Sequence, residues 1–328
     1  MKITFFEIES WQKEYLKKKL NEHQLTFVSD ELTLKNLSKA KNSEAIVVFI
    51  YSIVNKNVLN KLPNLKFIYT MSTGFNHIDI NTCKEKGIKV FNVSSYGENT
   101  VAEHTIGLML SLSKKIPQSV INTKKGNFDL DNLEGFDLKG KTLGVIGAGN
   151  IGQHVIKIAK AMEMKVIVMN RSQDEKLAKE LKFQYVTLNE LLKNSDIISF
   201  HVPLNPETKH MINMKNISLI KKGVYLINTA RGGLIETKAL IFALDKGIIA
   251  GAALDVLEEE EDLKEDRHLS KRKLSVYENK ILKQNHKLLK DRDVLITPHS
   301  AFFTREAQQR ILDVTIENIF EKKKNLVN

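Results

Sequence analysis

A glycine-rich stretch in the middle of the chain constrains the fold more than any other feature. Residues 142–146 form an apolar run, and three glycines follow at G-x-G-x-x-G spacing: Gly147, Gly149 and Gly152. Residues 151–162 then show helical periodicity. In this order, the first glycine permits a tight turn, the second lets a pyrophosphate approach the backbone, and the third packs the helix closely on the strand.

The segments around the glycines decide between two interpretations. The spacing alone also fits an ordinary glycine-rich turn. Here a strand precedes the glycines, a helix follows, and a second apolar strand covers residues 165–169. The start of the helix would offer unpaired N–H groups to phosphates. The whole unit therefore predicts a dinucleotide-binding site.

Strand-like and helix-like stretches alternate on both sides of this motif. The predicted strands are residues 3–8, 25–28, 45–50, 67–71, 89–93, 142–146, 166–169, 197–202, 224–228, 248–254 and 294–297. The predicted helices include 11–20, 31–40, 58–62, 77–86, 151–162, 174–181, 188–193, 215–221 and 238–246. This alternation predicts an α/β fold of two doubly wound parallel sheets, of Rossmann or flavodoxin type, with a cleft between the two domains. We expect the domains at residues 1–98 and 99–302, with a closing helix within 303–328 that returns to the first domain.

Three segments differ from the simple alternation. Residues 100–116 read as a helix that is apolar over much of its circumference, which indicates either a subunit interface or burial between two domains. Residues 126–141 are polar and irregular, as in an extended connection. Residues 258–292 are dense in charge and contain no glycine or proline. We expect this last segment to be a helical excursion between the final two strands, on the side of the active site.

Composition excludes several classes of protein. The chain has 328 residues, 42% of them hydrophobic and 27% charged, which fits a globular protein. It has no long apolar run and no signal-peptide pattern, so we expect a cytoplasmic protein without membrane contact. The one cysteine, Cys83, excludes an internal disulfide, and no histidine spacing indicates a metal site.

The net charge of +11 has two interpretations. A basic chain can bind nucleic acid. In this sequence, however, lysines alternate with acids along predicted helices, and no nucleic-acid-binding motif accompanies them. A solvated surface is therefore the better interpretation, and we expect no nucleic-acid partner.

Five motifs together resemble the D-isomer-specific 2-hydroxyacid dehydrogenases, and within them the D-lactate dehydrogenase-like branch. They are the glycine fingerprint at 147–152, HVPLN at 201–205, NTARGG at 228–233, ALDV at 253–256 and TPHSAF at 297–302. The resemblance covers essentially the whole chain. It implies an NAD(P)-dependent enzyme that interconverts a small 2-keto acid and its D-2-hydroxy acid, with residues 1–98 binding substrate and 99–302 binding the dinucleotide.

The residue types in these motifs suit the implied reaction. Arg231 follows a strand, where a guanidinium can pair with a carboxylate and polarise the neighbouring carbonyl. His299 also follows a strand, and an imidazole can give and recover a proton near neutral pH. The family has a carboxylate partner for this histidine five residues after the aspartate of ALDV, which selects Glu260 within the acidic run 258–261. The run leaves that assignment open by one residue.

The resemblance also implies binding positions. Asp255 would contact the nicotinamide carboxamide, Thr229 and Ala230 would line the nicotinamide, and His201 and Pro203 would lie near the adenosine. The full set for the cofactor is Gly147, Gly149, Asn150, Ile151, Asn170, Arg171, Ser172, His201, Val202, Pro203, Thr229, Ala230, Asp255 and His299. The set for the substrate is Thr73, Gly74, Tyr96, Arg231 and Phe302, with the backbone N–H groups of Thr73 and Gly74 receiving the carboxylate.

The end of the second strand of the dinucleotide unit departs from the pattern for NAD. An acidic residue there would bind the ribose 2′-OH, but the sequence has Asn170, Arg171 and Ser172. Arg171 and Ser172 can bind a 2′-phosphate, which predicts appreciable use of NADPH. The alternative is that Arg171 points to solvent or stacks on adenine in an NAD enzyme.

The sequence leaves two alternatives to a D-lactate dehydrogenase-like enzyme. One is an NADPH-preferring glyoxylate or hydroxypyruvate reductase, and the other is a regulatory protein that senses NAD(H) without catalysis. The presence of Arg231, His299 and Glu260 favours an enzyme. We also expect a homodimer through the region 100–116.

Overall fold

The structure of the protein, a computed structural model, describes residues 1–260, 275–321 and 325–328. The chain divides into two compact units. The first unit comprises Met1–Tyr96 and Phe303–Asn328, and the second comprises Gly97–Phe302.

The first unit contains a five-stranded parallel sheet. Its strands are β1 (Lys2–Phe5), β2 (Gln24–Phe27), β3 (Ala45–Val48), β4 (Phe67–Thr70) and β5 (Lys89–Phe91), in the order β2-β1-β3-β4-β5. Its helices before the chain leaves this unit are α1 (Ser10–Lys19), α2 (Lys56–Leu59) and α3 (Ile80–Glu85). All four residues of β3 are buried, as expected for a strand covered on both faces.

The second unit contains a seven-stranded parallel sheet. Its strands are β6 (Thr142–Ile146), β7 (Lys165–Met169), β8 (Gln184–Tyr185), β9 (Ile197–Phe200), β10 (Val224–Asn228), β11 (Ile249–Leu254) and β12 (Val294–Ile296). Their order is β12-β11-β10-β9-β6-β7-β8. Its helices are α4 (Glu98–Ser113), α5 (Ile116–Lys124), α6 (Asn150–Ala161), α7 (Glu175–Leu181), α8 (Leu188–Asn194), α9 (Thr237–Asp245) and α10 (Val276–Lys290). Neighbouring residues Leu226 and Ile227 belong to different core clusters, so each face of this sheet has its own core.

The chain ends with α11 (Arg305–Glu321), which packs in the first unit. Tyr15 of α1 donates a 2.5 Å hydrogen bond to Asp313 of α11. Asn318 of the same helix donates to the carbonyl of Asn92, and Val327 donates its N–H to Val90 at the edge of the first sheet.

The two all-parallel sheets with their helices confirm the predicted α/β fold class. Several predicted helices, however, were wrong in extent. Within 31–40 only a 3-10 turn forms, at Leu37–Ala40. The side chain of Asn36 accepts from Thr33 N and donates to the carbonyl of Glu31, which competes with helical hydrogen bonds. Within 215–221 only Ile217–Leu219 is helical, and again as a 3-10 turn.

Two segments of the second unit also differ from expectation. Helix α5 and the two-residue strand β8 were not predicted. Helix α10 lies within the expected excursion between the last two strands and packs against α9 and β12. The expected position of this excursion over the active site stays a prediction. The rest of that excursion, residues 261–274, lies outside the described residues. The predicted helix 100–116 corresponds to α4, whose apolar side chains pack against α6, β10 and β11 of the same unit.

Candidate active site and cofactor-binding loop

The predicted motifs of the second unit follow strand ends that lie in one row. Pairing register aligns Ile146 with Met169 and Phe200, Phe200 with Asn228, Asn228 with Leu254, and Leu254 with Ile296. The next residues along the chain are Gly147, Asn170, His201, Thr229, Asp255 and Thr297. Residues far apart in sequence therefore share the carboxyl edge of one sheet, which is where ligands bind in open α/β sheets.

The three glycines of the fingerprint differ in what a side chain at their position would contact. Gly147 has φ +99°, and a Cβ there would lie 2.7 Å from the carbonyl oxygen of His201. A Cβ on Gly152 would lie 2.0 Å from the carbonyl oxygen of Gly147. A Cβ on Gly149, in contrast, would meet nothing within 4 Å. Gly147 and Gly152 are needed for the turn itself, whereas Gly149 borders open space.

The loop is held from the side by Asn170, at the end of β7. Its Oδ1 accepts from Ala148 N at 3.2 Å, and its Nδ2 donates to the carbonyl of Ser172 at 2.6 Å. The amide of Asn170 is thereby committed to the turn, and Arg171 beside it is exposed. Among the described residues Arg171 makes no ion pair.

His201 lies in the wall behind the glycine loop. Its Nε2 pairs with the hydroxyl of Ser199 at 2.8 Å, and burial lowers the pKa of His201 to about 3, so the ring is neutral at neutral pH. Val202 approaches Gly147, and the carbonyl of Pro203 accepts from Thr208. These residues shape the loop through packing and uncharged contacts.

A side-chain turn presents Arg231 after β10. Buried Asn228 accepts from Ala230 N at 3.0 Å and donates to the carbonyl of Arg231 at 2.9 Å. The Arg231 guanidinium donates to the carbonyl of Ala230 and, within the described part of the chain, has no carboxylate partner. The hydroxyl of Thr229 pairs instead with Thr105 of α4 at 2.9 Å. Arg231 therefore has charge to offer an anionic ligand.

Asp255 organises the turn that carries His299. Its side chain is fully buried; Oδ1 accepts from Thr297 Oγ1 and Ser300 N, and Oδ2 accepts from Ala301 N. His299 itself has φ +55°, a left-handed conformation that these bonds help to hold. The family resemblance implied that Asp255 contacts the nicotinamide carboxamide, and the structure adds this supporting role that the motif did not reveal.

His299 and Glu260 form a close pair. Nδ1 of His299 lies 2.5 Å from Oε1 of Glu260, and Oε2 of Glu260 accepts from Leu257 N at 3.2 Å. A carboxylate accepts hydrogen bonds, so the proton of the neutral ring is on Nδ1. Nε2 of His299 has no hydrogen-bond partner among the described residues. This ring is therefore held by one nitrogen and leaves the other for a ligand.

Sequence reasoning missed His104, which also contacts the aspartate. Its Nε2 lies 3.2 Å from Thr297 Oγ1 and 3.6 Å from Asp255 Oδ1. The helix pattern of 98–113 marks which face is apolar but gives no signal for a polar contact to a distant strand.

The first unit contains the predicted substrate loop after β4. The hydroxyl of Thr73 donates to the carbonyl of Val93, Asn92 donates to the carbonyl of Thr73, and Ser72 Oγ donates to the carbonyl of Gly74. The loop is thus fixed through two of its carbonyl groups and the Thr73 hydroxyl. Across the described ranges, the backbone N–H groups of Thr73 and Gly74 donate to no protein atom, which suits an anion such as a carboxylate.

The two predicted substrate-site aromatics lie at the ends of the units. Tyr96 is half-buried in the first unit, and its carbonyl accepts from Arg310 at 2.5 Å. Phe302, also half-buried, lies in the second unit, where its Cβ is 3.9 Å from the Cβ that Gly97 would carry.

The described residues contain neither a side-chain cluster suited to a metal ion nor a helix suited to span a membrane. No group of three or more histidine, cysteine or acidic side chains has a geometry for a metal ion in residues 1–260, 275–321 and 325–328. Within the same residues, no helix has the length and apolar character needed to cross a membrane.

Comparison with known proteins agrees with the fold and the motifs. The family described as "D-isomer specific 2-hydroxyacid dehydrogenase, NAD binding domain" matches residues 106–301. The D-lactate dehydrogenase of Escherichia coli (strain K12) is 35% identical over 329 residues, covering 99% of this chain and 97% of that protein. The crystal structure of the Aquifex aeolicus D-lactate dehydrogenase with NAD and lactic acid has a TM-score of 0.84 at 37% identity, covering 99% of this chain and 98% of that chain. A structure of the pyruvate reductase of Chlamydomonas reinhardtii has a TM-score of 0.87 at 31% identity, covering 100% and 98%.

These matches define the class of protein as an NAD-dependent oxidoreductase built from two parallel α/β domains. The chain belongs to the D-isomer-specific 2-hydroxyacid dehydrogenase family, in its D-lactate dehydrogenase-like branch. It is therefore an enzyme that interconverts a 2-keto acid and a D-2-hydroxy acid. The matches do not favour the glyoxylate or hydroxypyruvate reductase or the sensor that the sequence had left open.

The glycine loop fits the NAD of this family. Gly149 leaves open space at the N-terminus of α6, and the strand ends beside it carry the remaining predicted cofactor positions. A pyrophosphate at the unpaired N–H groups of a twelve-residue helix is favoured by the helix dipole.

Proposed function

We propose that this enzyme reduces a small 2-keto acid of the size of pyruvate, with His299 as the general acid and base. The observation that carries the proposal is the His299–Glu260 pair, at 2.5 Å, which leaves Nε2 of the ring for substrate. The relatives named D-lactate dehydrogenase and pyruvate reductase support a three-carbon substrate.

The proposed mechanism assigns one task to each group. When bound, the nicotinamide cofactor would supply the hydride that the carbonyl carbon of the substrate accepts. Arg231 pairs with the substrate carboxylate and polarises the carbonyl, and Nε2 of His299 donates a proton to the carbonyl oxygen. Glu260 stabilises the positive charge of the imidazolium before that transfer and fixes the ring. In the oxidation direction His299 accepts the hydroxyl proton.

In the first unit, we propose that the N–H groups of Thr73 and Gly74 bind an oxyanion such as a carboxylate. The loop is held through two of its carbonyl groups and the Thr73 hydroxyl, so these donors are preorganised. A Thr73→Pro substitution removes one donor and should raise the KM for keto acid more than it lowers kcat.

A substrate panel and one variant test the main proposal. Pyruvate, glyoxylate, hydroxypyruvate and longer 2-keto acids would be compared by kcat/KM with NADH. We expect pyruvate to rank highest, and we expect His299→Ala to lower kcat by about a thousandfold or more while the NADH dissociation constant changes little. Turnover at the wild-type rate in His299→Ala would contradict the assignment.

We also propose that NADPH is used to an appreciable extent. The support is the exposed Arg171, the adjoining Ser172 and the absence of a carboxylate at the end of β7, where Asn170 stands instead. Arg171→Ala should lower kcat/KM for NADPH about tenfold more than for NADH. Arg292→Ala, at an exposed arginine elsewhere in the second unit, is the control. A wild-type enzyme with no measurable NADPH activity would refute this proposal.

The homodimer also remains a proposal, with a different surface from the predicted one. Five exposed apolar side chains follow α4 closely in sequence and are here called the apolar strip: Ile116, Val120, Ile121, Phe128 and Leu130. Phe128 is 78% exposed and Leu130 is 81% exposed, which is unusual for side chains of this size.

Charge at the apolar strip favours a second copy of this chain as its occupant. Lys124 and Lys125 end α5, while Asp129 and Asp131 flank Leu130. In a two-fold contact the basic end of one strip can meet the acidic end of the other. Light scattering should show a dimer that Phe128→Asp with Leu130→Asp converts to a monomer; a monomeric wild-type chain would refute it.

A cytoplasmic location is likewise a prediction, to be tested by cell fractionation.

A further inference from the structure

A second acidic residue close to Glu260 has an unusual environment. Glu258 is only 5% exposed. Its Oε1 accepts from His210 Nε2 at 2.5 Å and from the Tyr277 hydroxyl at 2.7 Å. Its Oε2 accepts from the N–H and the hydroxyl of Thr237, at 3.1 and 2.7 Å. Four donors thus converge on one buried carboxylate.

The four donors come from three separate elements. Thr237 begins α9, Tyr277 lies in the first turn of α10, and His210 lies in the turn before the Ile212–Ile235 bridge. Asn285, which is fully buried in α10, also donates to the backbone carbonyl of Glu258 at 2.8 Å. Burial raises the pKa of Glu258, but the bonds from Thr237, Tyr277 and His210 outweigh it and lower the pKa, so the group is ionised.

The four hydrogen bonds offset the cost of burying this carboxylate. Apolar side chains of similar volume often stabilise a buried position equally well. What the carboxylate does fix is geometry, because it ties one short segment to two helices and a turn.

The segment that is fixed borders both proposed catalytic elements. Glu260 lies two residues beyond Glu258, and its Oε2 accepts from Leu257 N, on the other side of Glu258. A Cβ on Gly232 would lie 2.0 Å from the carbonyl carbon of Leu257, so the turn that carries Arg231 packs directly on the same segment. The N–H of His210 also donates to the carbonyl of Gly233 in that turn.

We propose that Glu258, held by His210, Thr237 and Tyr277, is the positioning residue that holds the carboxylate of Glu260 against Nδ1 of His299. This inference rests on the proposed role of Glu260 and His299. Glu258 does not touch the reacting atoms and acts through Glu260.

The test is a double-mutant cycle between Glu258→Gln and Glu260→Gln. We expect Glu258→Gln to lower kcat by about ten- to a hundredfold, since small misplacements of catalytic groups have effects of this size, with the NADH dissociation constant unchanged within about twofold. In the Glu260→Gln background the second substitution should change kcat by less than about twofold, because the group through which Glu258 acts is already lost. Glu259→Gln, at the exposed residue between them, is the matched control and should keep the wild-type kcat.

Tyr277→Phe keeps the test decisive if Glu258→Gln does not fold. It removes one donor from a partly exposed position and leaves the buried carboxylate in place. It should lower kcat about two- to fivefold in the wild-type background and have no effect on kcat in the Glu260→Gln background.

The outcomes separate the two levels of inference. If Glu260→Gln lowers kcat but the effects of the two substitutions multiply, the positioning role of Glu258 is wrong while the proposed function stands. If Glu260→Gln itself keeps the wild-type kcat, the proposed role of Glu260 fails, and the role of Glu258 fails with it.

Discussion

The first strand of each unit, β1 or β6, is the strand at which the strand order of its sheet reverses. The turns that follow these two strands differ in the side chain they carry. In the first unit, Glu7 follows β1 beside the loop after β3; its carboxylate accepts from Phe49 N at 3.1 Å and Tyr51 N at 3.2 Å, and from the Ser52 hydroxyl. In the second unit, Gly147 follows β6 and approaches the backbone after β9. Both turns lie where the strand order reverses, the position at which open α/β sheets bind ligands.

The difference shows how one architecture supports two roles. In the first unit the chain supplies its own anion to the N–H groups of the neighbouring loop, and the position is closed. In the second unit glycine removes the side chain, and the space at Gly149 stays open for the phosphates of a cofactor. Function therefore depends on what the turn leaves open rather than on the sheet.

The largest effect is expected for Gly147→Ala. The methyl group would lie 2.7 Å from the carbonyl of His201 at a backbone φ of +99°, so both strain and collision oppose it. We expect a loss of unfolding free energy of about 3 kcal/mol or more, together with loss of NADH binding measured by fluorescence.

Gly223→Ala is the matched control for that collision. Gly223 has φ +85°, but a Cβ there would meet nothing within 4 Å. It should cost only the backbone strain, about 1 kcal/mol. Equal thermal shifts in the two variants would show that the close approach at Gly147 is not significant.

Glu7→Ala tests the closed turn. The substitution leaves the N–H groups of Phe49 and Tyr51 without their acceptor, which should lower the unfolding free energy by about 1–3 kcal/mol. The NADH dissociation constant should not change, in contrast to the glycine variants of the second unit. Weaker NADH binding in Glu7→Ala would break the comparison.

Sequence predicted the features that periodicity and motif order encode. Buried parallel strands read as apolar runs, so eleven of the strand positions among the described residues and the order of the motifs along the carboxyl edge could be predicted. Glycine spacing located the turn after β6. The two-residue β8 was missed because so short a strand has no periodicity.

Contacts between distant polar residues could not be predicted in the same way. Asn36 converts a helical pattern into a 3-10 turn through two local side-chain bonds. The four-donor environment of Glu258 joins residues from three elements, and its sequence context is an acidic run that normally indicates a solvated surface. The sequence selected Glu260 by resemblance, whereas nothing in the pattern singled out Glu258 or His104.

Gly149→Ala tests whether the open turn after β6 binds the cofactor, and its expected effect on NADH binding is smaller than that of Gly147→Ala. Its φ of −71° suits alanine and the Cβ has space, so the melting temperature should not fall. If the cofactor approaches this backbone, the NADH dissociation constant should rise about tenfold. Gly107→Ala, in α4 and also without a close neighbour, should leave NADH binding unchanged. Unchanged binding in Gly149→Ala would mean that the open space is not the phosphate site.

The smallest effect concerns a feature that the two units share. Burial lowers the pKa of His77 in the first unit to about 4 and that of His201 in the second to about 3, and each ring pairs with a hydroxyl, of Thr70 and Ser199 respectively. In the unfolded chain both rings take up a proton near pH 6.5, whereas in the folded chain they do so only at lower pH. Their contribution to stability is therefore complete above pH 6.5 and decreases as the pH falls towards the folded values, by about 1 kcal/mol each at pH 5.5. Thermal melts of His77→Gln and His201→Gln between pH 7 and 5.5 should each show a weaker pH dependence than the wild type. If one variant keeps the wild-type change of melting temperature with pH, its histidine is already solvated in the folded protein. The two units would then not share this feature.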